Sequence, residues 1–384
     1  MFHNSPLSHL KCSKEMKHFY SAAGTWSFGQ GLVQIFIPIF LFVSGFSLGQ
    51  VFFFSLIAQF IRVLNVPLAI LASEKYGAKH ILSFSFIFPI LFFISLAFAT
   101  TSIVFLYLAS LFFGLKMAYL FVPYHLHLSK ISPDKKRGRI LASTAIIAAL
   151  SVGAAPIIGG FLIGDKGMLI TALVACVFFV ASAVILLTTK EKTTYHSLKL
   201  KRLPFKKMYK DAFASGFYNI SSQLGSVVWF IFVFVILGTY AKVGIVAGIS
   251  LAIGVCAVYI LGKLEDKLDR KKIFFYVSII FTIFAFARVF LNSFSGVIAG
   301  NILYALASIA VAIAWTSILH RNIDKTPKAE YLFWMEIVGG IFSLVIMAIF
   351  IGVYYLFGLT FTLVAGIIVS GVSMLFANLV NLRR

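Results

Sequence analysis

Three basic residues, Arg62, Lys116 and Arg288, fall inside long apolar stretches of this sequence. An ionisable group in hydrocarbon is costly, so it pairs, faces water or serves a solute or ion path. Arg62 shares one broad helix face with Gln59 and Asn65, at spacings of three. Lys116 stands three residues before Tyr119. Both cations lie near mid-stretch, and no acid lies at comparable depth in the sequence. An anionic or electron-rich solute is therefore expected to compensate them. Lys116 has a second reading, as a proton-exchanging group or an inert packed side chain. Arg288 lies nearer the end of its stretch and is expected to snorkel to the surface. Glu336 and Asp211, close to helix ends, are expected in ion-pair or capping networks.

Polar and aromatic residues also recur at helical spacing on otherwise apolar stretches. Gln30 and Gln34 are one turn apart, with Trp26 and Ser27 beside them. Asn219, Ser222, Ser226 and Trp229 form one face, and Asn301, Tyr304, Ser308 and Trp315 another. Such stripes face a cavity or another helix rather than lipid. Metal or cofactor chemistry has little to stand on. Cys12, Cys176 and Cys256 have neither disulfide nor metal spacing. His125 and His127, at i and i+2, point to different helix faces, which counts against a membrane enzyme acting on lipid. A membrane sensor or binding protein that transports nothing is the other alternative.

The elements that must position these residues follow from composition. Hydrophobic residues make up 61% of the 384 residues and charged ones 12%, with a mean hydropathy of +1.00. So few charges cannot coat a water-soluble surface, so lipid is the expected solvent. About twelve stretches of some 20 residues can each cross roughly 30 Å of hydrocarbon. They run approximately over 18–43, 47–72, 80–99, 103–125, 140–163, 168–188, 211–237, 243–262, 273–293, 295–318, 331–355 and 359–381. All are expected to be helices, because lipid offers backbone groups no hydrogen-bond partners. The first follows a Lys-bearing tail and is too long for a signal-peptide core, so it is expected to stay in the mature chain. Residues 1–188 and 211–384 then form two six-helix bundles, joined by a basic linker over 189–210.

Charge placement supports the same layout. Of the 33 Lys and Arg, 28 fall in the termini and in alternate connections, on one side of the expected membrane. Only Lys166 and Lys242 fall in connections on the other side. This bias predicts both termini in the cytoplasm of a cell bounded by its plasma (inner) membrane. It also accounts for most of the +21 net charge, with anionic lipid as a further contact. No folded basic module suggests nucleic-acid binding.

Two similar charged loops sit half a chain apart. Ala72-Ser73-Glu74-Lys75-Tyr76-Gly77-Ala78-Lys79 follows the second stretch. Gly262-Lys263-Leu264-Glu265-Asp266-Lys267-Leu268-Asp269-Arg270-Lys271 follows the eighth. The pair resembles the loop signature of the major facilitator superfamily, with Asp269 where Gly is usual. Ser151-Val152-Gly153-Ala154-Ala155-Pro156-Ile157-Ile158-Gly159-Gly160 is similar to that family's fifth-span pattern, which is associated with antiporters. In the fourth span Ser110 stands where many members carry an Arg linked to proton coupling. The resemblance implies a twelve-helix, all-α secondary transporter working by alternating access as a monomer, with no cofactor. Its partners would be a small-molecule solute and protons as coupling ion, and efflux by antiport would be its mode. It implies that Glu74, Lys75, Gly77, Asp266, Lys267 and Arg270 latch a gate. Pro156, Gly159 and Gly160 would let the fifth helix bend and pack. Because spans 1, 4, 7 and 10 line the pathway in this family, Gln30, Gln34, Lys116, Asn219, Ser222, Asn301 and Tyr304 become expected solute contacts, alongside Arg62 and Tyr119. The chain has no phosphate-binding loop for ATP.

Overall fold

Proline and glycine set where the helices of this chain bend and stop. The computed structural model describes residues 14–131, 137–188, 204–265, 269–291 and 293–381, and these residues contain helices and no strand. The helices are α1 (Lys14–Val33), α2 (Ile37–Val43), α3 (Leu48–Tyr76), α4 (Ala78–Phe84), α5 (Ile87–Ala97), α6 (Ile103–Ile131), α7 (Arg137–Leu187), α8 (Tyr209–Leu237), α9 (Tyr240–Glu265), α10 (Arg270–Ala287), α11 (Phe294–Asp324) and α12 (Lys328–Phe376). Among the described residues, nine helical stretches are long and apolar enough to cross a membrane, and Tyr240–Gly254 is a shorter apolar one. Large apolar side chains such as Leu64, Leu68, Val177 and Val184 lie exposed on the outside of the bundle. The molecule is an integral membrane protein.

The first expected span is split. A 3-10 turn at Gln34–Phe36 separates α1 from α2. Pro38, near the start of α2, has no N–H to give the carbonyl four residues back, which is that of Gln34. The third span is split in the same way between α4 and α5, where Pro89 has no N–H for the Ser85 carbonyl, which accepts from Phe88 N at 3.1 Å instead. Glycine acts at the two longest helices. Gly167 (φ +82°) interrupts α7 and Gly358 (φ +77°) interrupts α12. A side chain with Cβ would be strained at either position. Helix starts use local caps. Ser47 and Gln50 form a capping box at α3. Asp269 accepts from Lys271 N at 2.8 Å and caps α10, which is a use for the acid that stands where the family has Gly.

Two close packings join the first half of the chain to the second. In one, α7 meets α9. A methyl group on Gly160 would lie 2.6 Å from the Tyr240 carbonyl, and one on Gly244 would lie 2.3 Å from that of Pro156. In the other, α3 meets α12, where a methyl group on Gly340 would lie 2.4 Å from Val63. Small residues are what allow membrane helices to approach this closely. Aromatic contacts also join the halves, with Phe36 against Tyr240 and Phe52 against Phe350.

Candidate functional site

A cavity of about 410 Å³ is walled by both halves of the chain. The first half of the chain contributes Trp26, Ser27, Gln30, Gly31, Gln34 and Ile35 from α1 and its following turn, and Pro156 from α7. The second half contributes the faces of α8 and α11 that carry Ser222, Ser226 and Trp229, and Asn301, Tyr304 and Ser308. Among the described residues, no charged side chain lines it. Its polar wall is built by relays. Trp229 Nε1 donates to Asn301 Oδ1 at 2.8 Å, and Asn301 Nδ2 donates to Ser250 Oγ at 2.8 Å. The Gln34 side-chain carbonyl is buried without a partner.

Of the expected solute contacts, Gln30, Gln34, Ser222, Asn301 and Tyr304 line the cavity, whereas Arg62, Lys116, Tyr119 and Asn219 do not. The expectation that no acid matches Arg62 in depth is corrected by the structure. Arg62 Nη2 lies 2.5 Å from Glu336 Oε2. Arg62 Nη1 donates to Gln59 Oε1 at 3.2 Å and to Asn219 Oδ1 at 3.3 Å. The physical reason is the close approach at Gly340 and Val63. It carries Glu336, one turn before Gly340, against the face that holds Arg62. Gly339 does the same for Asn219, whose amide nitrogen would lie 2.6 Å from a methyl group there.

Lys116 sits inside the first half, with Nζ 5.5–5.8 Å from the ring centroids of Phe92, Phe93 and Phe113. Tyr119 packs its ring 5.3 Å from that of Phe88. Arg288 does not snorkel. It is 2% exposed, and its guanidinium carbon lies 3.1 Å from the Trp229 ring centroid and 3.5 Å from that of Tyr304. The reason is that two aromatic faces offer a cation more than a short reach to the surface does. The histidines also separate. His125 Nδ1 lies 3.3 Å from His320 Nε2, contributed by the second half, while His127 packs on Phe19. Asp211 Oδ1 accepts from Asn381 N at 2.8 Å.

Among the expected gate residues, Gly77 ends α3 with φ +94°, Lys75 lies over the Tyr76 ring and Arg270 opens α10. Glu74 lies in the last turn of α3. Asp266 and Lys267 lie outside the described residues, as does 189–203 of the linker. Pro156 and Gly160 both pack against α9, and Gly159 packs against Leu32.

The family model described as Major Facilitator Superfamily matches residues 19–331. No curated protein sequence matches. A crystal structure of the E. coli fucose:proton symporter superposes with a TM-score of 0.66, at 13% identity, covering 94% of this chain and 97% of that one. That likeness is one of fold. The chain belongs to the major facilitator superfamily, a family of membrane transporters.

Proposed function

We propose that this chain carries a small polar solute across the membrane by alternating access. The observation that supports the reading is the cavity itself. It is walled by both halves of the chain, lined with hydrogen-bonding groups, and flanked by packings that must separate for a solute to pass. In this reading Gly167 and Gly358 divide α7 and α12 into two crossings each. That gives twelve crossings, in bundles 1–188 and 211–384 about the 189–210 linker. Both termini and the linker face the cytoplasm, and the positive charge of the connections supports that orientation. Labelling of single cysteines in intact cells tests it. Asp165→Cys reacts with an impermeant reagent, and Ser197→Cys does not until the membrane is opened. The reverse pattern refutes the topology.

An organic anion as solute draws no support from Arg62, which Glu336 neutralises, or from Lys116, which stands off the cavity. Proton-linked antiport is the coupling mode we favour, on the Pro156–Gly160 run and on Glu336. Protonating that carboxylate would loosen its hold on Arg62 and so free α3 from α12. Flux in proteoliposomes decides the matter. A solute screen with a pH gradient of either sign should give saturable solute movement opposite to that of protons. Movement in the same direction would mean symport, and no saturable movement would remove the transport reading.

A further inference from the structure

We propose that Arg288 is an anion-binding group beside the cavity and takes the carboxylate of the transported solute. The inference rests on the reading of the cavity as the transport site and names the class of its solute. Arg288 is among the largest fully buried side chains of the molecule. Its guanidinium stacks on Trp229 and Tyr304, and both rings line the cavity. The charge therefore sits one layer behind the cavity wall that these two rings form.

Stacking uses the faces of the guanidinium and leaves its edge. Along that edge, Nε and Nη2 are buried with no hydrogen-bond partner. Among the described residues, no Asp or Glu pairs with Arg288, and the cavity lining holds none. The ring faces accept none of its N–H groups in the plane, and the side-chain hydrogen bond with Tyr304 still leaves Nε and Nη2 open. Buried charged donors left open in this way call for a missing acceptor. Adjacent Nε and Nη2 donors match the two oxygens of a carboxylate, which they can hold side by side. A hydroxyl or an amide carbonyl would satisfy one donor and leave the charge unopposed. Trp229 is held in place by Asn301, so that relay sets the wall against which the carboxylate would dock.

The same edge could take a free inorganic anion, and the test separates the two sources. Purified protein in detergent is followed by thermal unfolding while sodium acetate, sodium benzoate or sodium chloride is titrated. Each titration is run at constant ionic strength against sodium HEPES, with acetamide as the neutral match for acetate. Acetate or benzoate should raise the unfolding temperature saturably, and acetamide should not. Arg288→Gln should abolish the shift. Arg288→Lys, which keeps the charge and loses the planar edge, should weaken apparent affinity about tenfold. A response to chloride without one to the carboxylates assigns the edge to a resident inorganic ion and overturns the solute assignment. No saturable shift with any anion, or an unchanged shift in Arg288→Gln, overturns the site altogether. If Arg288→Gln fails to fold, the acetate–acetamide contrast in the unaltered protein and the Arg288→Lys variant still decide. Binding in detergent requires no flux, so it stands or falls apart from transport. Saturable flux of a neutral solute that survives Arg288→Gln would overturn the assignment of a carboxylate as solute and leave the transport reading in place.

Discussion

Arg62 and Arg288 are both buried guanidiniums, one in each half of the chain, and the protein compensates them in opposite ways. Arg62 meets a carboxylate, Glu336, brought to it from the other half. Arg288 meets two aromatic faces from its own half and no acid among the described residues. The first arrangement ties the two halves of the chain together. The second leaves the Nε and Nη2 edge of a buried cation open, behind the Trp229 and Tyr304 wall of the cavity. Depth in an apolar stretch is the same signal in both cases, so the role of each cation is set by what tertiary packing places opposite it.

The comparison breaks most sharply at Glu336. Glu336→Gln leaves Arg62 buried with no counter-charge, only the amide oxygens of Gln59, Asn219 and the introduced side chain. Removing one partner of a buried ion pair costs about 3–5 kcal/mol, largely because the other charge is left alone. The expected result is a large loss of stability in detergent unfolding, and a bundle that spends less time closed between α3 and α12. The double variant Arg62→Gln with Glu336→Gln should recover much of that loss. If the double variant is as unstable as the single one, the pair is not what couples these helices.

A smaller effect is expected where glycine makes the pair possible. Gly340→Val must displace Val63, and overpacking of this kind costs about 1–3 kcal/mol. It should also lengthen the α3–α12 separation measured between spin labels, because a branched side chain cannot fold away from a helix facing it. Arg288 has no comparable dependence on a glycine. The same substitution should leave anion-dependent thermal shifts unchanged.

How much of this was legible in the sequence differs between the two arginines. Apolar length predicted helices, but 18–43 and 80–99 read as unbroken spans, and the structure splits each near a proline. The stripes on α8 and α11 led to Ser222, Asn301 and Tyr304, because a polar face on an apolar helix has few places to go. Asn219 belongs to the same stripe, yet it serves the Arg62–Glu336 contact instead. Periodicity gives a face but not a depth or a neighbour. Glu336 lies 274 residues from Arg62, and only the Gly339–Gly340 approach brings them together. Arg288 read as a snorkelling residue because distance from a helix end is countable in sequence, whereas the Trp229 and Tyr304 rings that hold it are not.

On the Arg288 side, Trp229→Leu keeps an apolar side chain and removes the π face. The loss should be about 1–2 kcal/mol, the range for a desolvated cation–π contact. It should be smaller than that of Glu336→Gln, because the Tyr304 ring remains and no carboxylate is lost. An equal or larger loss would mean that the ring, rather than a bound anion, is the main compensation for Arg288.

Lys116 offers the finest test, because it lies between the two arginines in kind. Like Arg288 it has aromatic neighbours and no acid among the described residues, but its rings stand farther off, at 5.5–5.8 Å. Contacts near 6 Å lie at the limit of a useful cation–π attraction, on the order of 0.5–1 kcal/mol for the set. Taking an ammonium out of water opposes that gain. Lys116→Met keeps the length of the side chain, fills the same space between α5 and α6 with a soft thioether, and removes the charge. Stability should stay within about 1 kcal/mol of the parent or rise, since replacing a buried charge by an apolar group of similar volume is often neutral or favourable. Solute flux should persist, because Lys116 does not line the cavity. Loss of flux in a well-folded Lys116→Met protein would show the opposite. The ammonium would then exchange a proton or meet the solute in another conformation, and Lys116 would join Arg62 and Arg288 as a working charge.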